Sequence, residues 1–476
     1  MTDSGPTIAY LTAGAGGMYC GSCMHDNTLA RALRRRGVDV QLIPTYTPIR
    51  TDEEDVSVHR VFYGGINVFL EEKLPLFRRV PAWIDRWLAQ PWLIRLAASR
   101  AINTDARKLG ALTVSMLRGT EGHQRKEVNR LCDWLVADVK PQLVNLSNVL
   151  IAGCVPELKR RLGVPVLATI QGDDIFLDAL PEPHKRRVLE EIARLVPLID
   201  GFVMHSRYYA DYMGEYLGIP AERIHVAPLG IDTSDFEEIG ADEAVELPAG
   251  RSEVEKRKAE SGKRRAELGG RKSEVEGESG AVSRDGRPPT IGYLARLAPE
   301  KGLHHLVDAF LDLRKRPGMQ QARLHVAGWL GGQNRNYAEE QFRRLRAAVG
   351  EESWRYWGSV DRHQKIEFLR GLDVLSVPTA YHEPKGIYVL EALAAGVPVV
   401  QPEHGAFPEL LAATAGGRLV RPGDAAHLSE VLHELLSDRA SAQQLGHAGR
   451  QRVLERFGAD AMADAMMAVY GKFITA

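Results

Sequence analysis

Glu383 and Glu391 are two carboxylates with seven residues between them, in a stretch that runs Tyr381-His382-Glu383-Pro384-Lys385-Gly386-Ile387-Tyr388-Val389-Leu390-Glu391-Ala392-Leu393-Ala394-Ala395-Gly396-Val397-Pro398-Val399-Val400. The stretch reads as a loop, a helix and a strand. Pro384 and Gly386 permit a sharp entry, and the backbone N–H groups around Gly386, Ile387 and Tyr388 then stand at the positive end of a helix dipole, which suits a phosphate. Glu391 falls about 7.5 Å along the axis from Gly386, at roughly 1.5 Å per residue, while Glu383 stays on the loop. The two carboxylates therefore face different parts of a bound ligand. One beside a phosphate-binding helix can accept both hydroxyls of a ribose, and one on the loop can contact a sugar beyond the phosphates. Taken alone, each is equally a solvated surface Glu.

A second constellation is Gly292-Tyr293-Leu294-Ala295-Arg296-Leu297-Ala298-Pro299-Glu300-Lys301-Gly302, which leaves a strand and enters a helix with apolar residues at Leu303, Leu306, Val307 and Phe310. It places two cations on one strand-to-helix turn. Arg296 and Lys301 can neutralise a departing diphosphate by charge-assisted hydrogen bonds, a task that a metal would otherwise perform. The competing reading pairs them with local carboxylates such as Glu300. Cys20-Gly21-Ser22-Cys23-Met24-His25 has a spacing that can chelate a metal or close a small disulfide loop. A tetrahedral site needs more ligands, and His25, Cys132 and Cys154 form no second paired motif, so small residues lining a turn is the favoured reading and no metal is expected.

The elements that must carry these residues are legible in the alternation of short apolar runs with segments of helical period, the pattern of a parallel sheet with crossover helices. In the first half, strands are expected at 8–11, 38–43, 143–146, 164–169, 201–205 and 224–227, with a turn at 14–17 and a helix over 26–36. A second series opens at Thr290-Ile291-Gly292-Tyr293-Leu294 and continues through 323–327, 374–378, 397–401 and 417–420. Residues 237–289 between the two are rich in Glu, Lys, Arg, Gly and Ser, too polar to order themselves by burial, and read as a flexible insert. The chain is thus an α/β protein with one doubly wound domain over 1–236, a second over 290–457, and a terminal helix in 458–476 that can cross back onto the first.

With 476 residues, either half can bury a core of its own. Lys plus Arg count 61 against 62 for Asp plus Glu, so no overall basic field draws the chain to nucleic acid. Met1 to Pro6 lacks a basic, apolar leader, no run approaches the roughly 18 apolar residues of a membrane span, and four cysteines are too few for a disulfide framework. A cytoplasmic protein is expected. Residues 69–96 mix Arg78, Arg79, Trp83, Arg86, Trp87, Trp92 and Arg95 with apolar residues, which fits either an acceptor-binding wall, ordinary core, or peripheral contact with an anionic inner membrane surface.

Taken together, the Gly-x3-Arg-x4-Lys-Gly turn at Gly292, Arg296, Lys301 and Gly302 and the Glu-x7-Glu pair followed by Glu-Ala-x-Ala-x-Gly-x-Pro-Val make the chain resemble glycosyltransferase family 4. The resemblance implies the GT-B fold, two Rossmann-like domains facing each other across a cleft, and a retaining, metal-independent transfer of sugar from a nucleotide diphosphate sugar, with no cofactor beyond that co-substrate. It implies that Gly386, Ile387 and Tyr388 hold the diphosphate against Arg296 and Lys301. Glu391 would then take the ribose, Gly358 and Val360 would flank the base, and Glu383 would face the donor sugar, so that Glu383, Arg296 and Lys301 form the catalytic set. Gly16 and Gly17, after the first strand, match positions where the family's backbone approaches the donor.

Two positions depart from the family's pattern. Gln171, in Thr169-Ile170-Gln171-Gly172-Asp173-Asp174, stands where relatives often have a His near the donor sugar; it can bond a hydroxyl but cannot take a proton. Lys385 stands where relatives usually have an apolar residue. The alternatives kept open are a nucleotide-sugar-binding protein without transfer, a sugar phosphorylase or epimerase on the same fold, and, more distantly, a metal or redox protein built on Cys20 and Cys23. The acceptor is a sugar, lipid or small molecule.

Overall fold

A computed structural model describes residues 5–14, 20–58, 60–62, 106–237 and 287–474. Gly16, Gly17, the 69–96 segment and most of the charged segment, 238–286, lie outside the described residues.

Apolar runs buried on both faces demand parallel sheets covered by helices on each side, and two such sheets form. The first contains β1 (Thr7–Thr12), β2 (Asp39–Pro44), β3 (Leu143–Leu146), β4 (Val166–Thr169), β5 (Gly201–Met204) and β6 (Ile224–Val226), in the order β2-β1-β3-β4-β5-β6. The second contains β7 (Thr290–Leu294), β8 (Arg323–Ala327), β9 (Trp354–Tyr356), β10 (Val374–Leu375), β11 (Val399–Pro402) and β12 (Gly417–Val420), in the order β12-β11-β10-β7-β8-β9. Every pairing is parallel. The helix Leu303–Leu313 turns Leu303, Leu306, Val307 and Phe310 onto the second sheet, where each is fully buried; a side chain of this kind contributes roughly 1.5–3 kcal/mol by leaving water.

Two elements differ from the sequence expectation. The first helix spans Gly21–Arg35 rather than starting at Asp26, because Gly21, Ser22 and His25 in its added turn carry no apolar period, although Cys23 and His25 are buried. The strand β9 was not expected. It is three residues long, lies at a sheet edge and is only half-buried, so its aromatic pattern is too brief to stand out.

The last helix, Ala459–Tyr470, packs Met462, Met466 and Tyr470 among Ile8, Tyr10 and Leu33 of the N-terminal sheet and its first helix. Arg36 donates to Asp460 at 2.6 Å and to Asp464 at 2.7 Å, fastening the helix from outside. Among the described residues no helix is long and apolar enough to cross a membrane.

Candidate active site

Chain order explains why two motifs far apart in sequence meet. From β7 the chain winds outward to β8 and β9, then returns so that β10 pairs with the other side of β7. At such a switch point a crevice opens beyond the carboxyl ends of the two adjacent strands. Arg296 and Lys301 leave β7 there, and Tyr381 and Glu383 leave β10. The two exits lie in contact at Gly302, whose φ is +72° and where an added Cβ would fall 1.7 Å from the Pro378 carbonyl oxygen. Ala380 N–H donates to the Glu300 carbonyl at 2.9 Å, sealing the contact.

Lys301 and Glu383 form the centre. The Lys301 ammonium donates to Glu383 Oε2 at 2.7 Å and also to the Tyr381 hydroxyl. Tyr381 donates to the same carboxylate oxygen at 2.7 Å and Tyr388 at 3.1 Å. The ammonium lies 4.8 Å from the Tyr381 ring centroid and 5.5 Å from that of Tyr388. Burial pushes the Glu383 carboxyl up, but Lys301 beside it, the Tyr381 hydroxyl and Lys385 overrule burial and hold it at about 2. Glu383 is therefore a carboxylate at every working pH. Its Oε1 faces the backbone N–H groups of Lys385 and Gly386, both at 3.4 Å, immediately before the helix Ile387–Ala394.

Arg296 does not join this centre. It donates to Glu300 Oε1 at 2.8 Å, with both side chains more than one-third exposed, so the pairing that competed with a ligand role is the one seen. Glu391, a full turn into the Ile387–Ala394 helix, is buried rather than solvated, and its Oε1 accepts from Lys365. Lys365 also donates to Asp52 at 2.5 Å, from the N-terminal domain. Burial alone would lower the Lys365 ammonium, and Glu391 and Asp52 raise it instead. Lys365 escaped the sequence reading although Asp361 and Gln364, a capping box at the head of helix Arg362–Arg370, give the signal that places it. Gly358, with φ +76°, and Val360 lie between β9 and this helix; the Gly358 carbonyl accepts from Gly328 N–H at 2.8 Å.

A narrow crevice lies between the domains beside this ion triad, lined by His25, Glu53, Asp232, Arg362, Ile387 and Glu391 among others. Several further contacts bridge the two domains. Glu409 accepts from the N–H groups of Arg207 and Tyr208 at 3.1 and 3.2 Å, at the head of helix Arg207–Leu217. The Tyr208 hydroxyl lies 2.6 Å from His382 Nδ1, and Arg362 bonds Asp235 at 2.5 Å.

The two departures from the family pattern touch each other. Lys385 Nζ donates to Gln171 Oε1 at 3.1 Å and to Ser22 Oγ at 3.0 Å, crossing from one domain to the other. Gln171 passes the polarity on, with Nε2 donating to Asp26 Oδ1 at 2.9 Å and to the Ser147 carbonyl at 3.3 Å. Asp26 also accepts from Tyr10 at 2.9 Å and Thr12 at 2.8 Å, and His25 Nδ1 lies 3.1 Å away. Burial lowers the Lys385 ammonium, as it lowers His25 and His205, whose rings lie 4.3 Å apart. Asp26 and His205 were missed as site residues in the sequence, where His25 was weighed only as a metal ligand, because buried polar residues leave no periodic mark. Among the described residues no group of three or more His, Cys, Asp or Glu side chains is arranged to hold a metal.

Two facing Rossmann-like domains, with the paired motifs at a switch point of the second, define the GT-B class of glycosyltransferase. The chain belongs to glycosyltransferase family 4: residues 276–452 match Glycosyl transferases group 1, and residues 125–235 match Glycosyltransferase Family 4. It is similar to glycogen synthase of Mycobacterium tuberculosis, 32% identical over 184 residues that make up 38% of this chain and 42% of that relative. It is also similar to D-inositol 3-phosphate glycosyltransferase of Xylanimonas cellulosilytica, 29% identical with 86% of this chain and 92% of the relative covered. Among solved structures it shares its fold with sucrose-phosphate synthase from Thermosynechococcus elongatus, at 17% identity and a TM-score of 0.64 with 98% of each chain covered. A second fold match is Anabaena HepE in complex with UDP and glucose, at 14% identity and a TM-score of 0.60, covering 98% of this chain and 100% of that one.

Proposed function

We propose that this glycosyltransferase moves a sugar from a nucleotide diphosphate sugar to an acceptor hydroxyl, with retention of anomeric configuration and without a metal ion. The observation that carries the reading is the ionised Glu383 held by Lys301 and two phenols at the entrance to the Ile387–Ala394 helix. A fixed carboxylate beside the donors at a helix N-terminus suits a sugar diphosphate, the phosphates taking the donors and the sugar hydroxyls taking the carboxylate. The structural relative bound to UDP and glucose supports a nucleoside diphosphate as the leaving group.

On this reading the diphosphate lies at Gly386, Ile387 and Tyr388, with Arg296 leaving Glu300 to join Lys301 on the departing charge. Glu391 Oε2 accepts from the ribose while Lys365 holds Oε1. Gly358 and Val360 flank the base. Gln171, already bonded at both ends of its amide, shapes the sugar end of the cleft as a fixed wall. The acceptor hydroxyl attacks from the side of the leaving group and gives its proton to the departing phosphate, inside a cleft closed against water. Because three donors already claim Glu383 Oε2, charge stabilisation fits this residue better than nucleophilic attack.

The test is a panel of nucleoside diphosphates and nucleotide sugars in EDTA, scored for thermal stabilisation and then for slow donor hydrolysis. Selective stabilisation by one base with cleavage of its sugar is the expected result. Stabilisation without cleavage under any condition would leave a binding protein, and no response to any member would overturn the donor site.

A further inference from the structure

The Cys20-x-x-Cys23 pair takes no part in the transfer reading, yet it lies against the loop that carries it. Cys20 is the N-cap of helix Gly21–Arg35, extended at φ −120° and ψ 128° and only half-buried, whereas Cys23 is 2% exposed. Met24 N–H donates to the Cys20 carbonyl at 3.0 Å, so both thiols hang from one closed turn. With a radius of about 2.3 Å and a rise of about 1.5 Å per residue, a helical turn puts Cα atoms three apart at about 5 Å, inside the roughly 4.4–6.8 Å that disulfides span. Ser22, between the two, accepts the Lys385 ammonium at 3.0 Å, and a Cβ at Gly21 would meet Ile387 Cδ1 at 3.4 Å. The turn is thus in contact with the residues on either side of Gly386.

We propose that Cys20 and Cys23 form a reversible dithiol–disulfide site on the cleft wall, reactive toward a disulfide oxidant, with Lys385 of the opposite domain as the residue that activates it. The asymmetry of the pair supports this. A hydrogen bond from Cys23, opposed by burial and aided by the Lys385 ammonium, draws the Cys20 thiol down to about 5. Its partner is raised by the same bond and by burial. The half-buried thiol is the nucleophile and the fully buried one resolves, the division of labour that such turns favour. Cys132, pushed up to about 12 by burial, and the buried Cys154 are inert by comparison.

The exchange balances as follows. The Cys20 thiolate attacks one sulfur of a small-molecule disulfide, breaking its S–S bond, forming a mixed disulfide and releasing one thiolate. The Cys23 thiol then gives up its proton and attacks Cys20 Sγ, forming the intrachain bond and releasing the second thiolate. Two protein thiols are oxidised and one disulfide is reduced to two thiols.

The experiment uses the full chain with oxidised and reduced glutathione in ratios that scan the potential, followed by mass spectrometry of the intact protein and of its peptides. Loss of two hydrogens mapped to Cys20 and Cys23, reversed by dithiothreitol, is expected, and C23S should trap one glutathione on Cys20. No intrachain bond at any ratio in the native protein, or adducts only at Cys132 and Cys154, would overturn the site. For Lys385, the iodoacetamide rate at Cys20 near neutral pH should fall about tenfold in K385M and be kept in K385R. Equal rates in all three proteins would overturn its activating role, and circular dichroism of the two variants separates that result from misfolding.

Discussion

Replacing Lys301 with Met keeps most of the aliphatic stem and removes the ammonium that holds Glu383. In the native protein Glu383 sits at about 2 against an ordinary 4.5, even though burial opposes ionisation. The difference of about 2.5 units corresponds to roughly 3 kcal/mol at about 1.36 kcal/mol per unit. The side chains are 14% and 6% exposed, so solvent screening removes little of it. A folded value below the unfolded one contributes stability that is complete above about pH 4.5 and lost as the pH falls toward 2. In Lys301→Met burial dominates instead, the carboxyl moves above its ordinary value, and the folded state holds a proton that the unfolded chain has shed. Stability of the variant then falls as the pH rises, by up to about 1.4 kcal/mol per pH unit until Glu383 ionises in the folded state. Urea unfolding of both proteins at about pH 5.5 and pH 7.5 should show a penalty clearly above about 3 kcal/mol at the higher pH, smaller by at least about 1 kcal/mol at the lower. A penalty equal at both, or below about 0.5 kcal/mol at both, would refute the electrostatic account and leave Lys301 as packing alone.

Arg296→Ala combined with Lys301→Ala should cut transfer by at least about a hundredfold, and added magnesium or manganese should not restore it; full rescue by metal would refute phosphate stabilisation by the protein's own cations. Glu391→Ala should weaken nucleotide-sugar binding about tenfold in calorimetry, since a buried acceptor of hydroxyls is lost, and unchanged affinity would remove the ribose role. Lys365→Met should destabilise the fold by about 3–5 kcal/mol, because Asp52 and Glu391 would be left as buried carboxylates without a cation; a thermal midpoint within a degree or so of the native one would contradict the triad's burial. Gly302→Ala should cost more than about 2 kcal/mol, given a left-handed φ and a carbonyl oxygen 1.7 Å from the new Cβ, and denaturant titration would show whether the two strand exits yield instead.

Much of this arrangement was legible in the chain. Apolar runs such as Ile8–Leu11 and Thr290–Leu294 announce strands buried on both faces, and the period of Leu303, Leu306, Val307 and Phe310 announces a helix lying on one of them. Glycine, proline and charge at fixed spacing mark the two turns that carry Arg296, Lys301, Glu383 and Glu391, because backbone geometry at a turn restricts which residues can stand there. These are local properties, and local properties survive in a one-dimensional string. Which charges pair is a property of distance between segments. Tertiary structure alone decided that Arg296 rests on Glu300, that Lys301 rests on Glu383, and that Glu391 is buried under Lys365. The strand order that returns β10 to the side of β7 brings Lys301 to Glu383, and burial forbids Glu383, Glu391 and Lys365 from standing unpaired, whereas Arg296 and Glu300 pair locally on a more exposed turn. The same reason joins Lys385 to Gln171 and Ser22: each departure is visible in the sequence, but that they compensate one another appears only when the two domains face across a cleft.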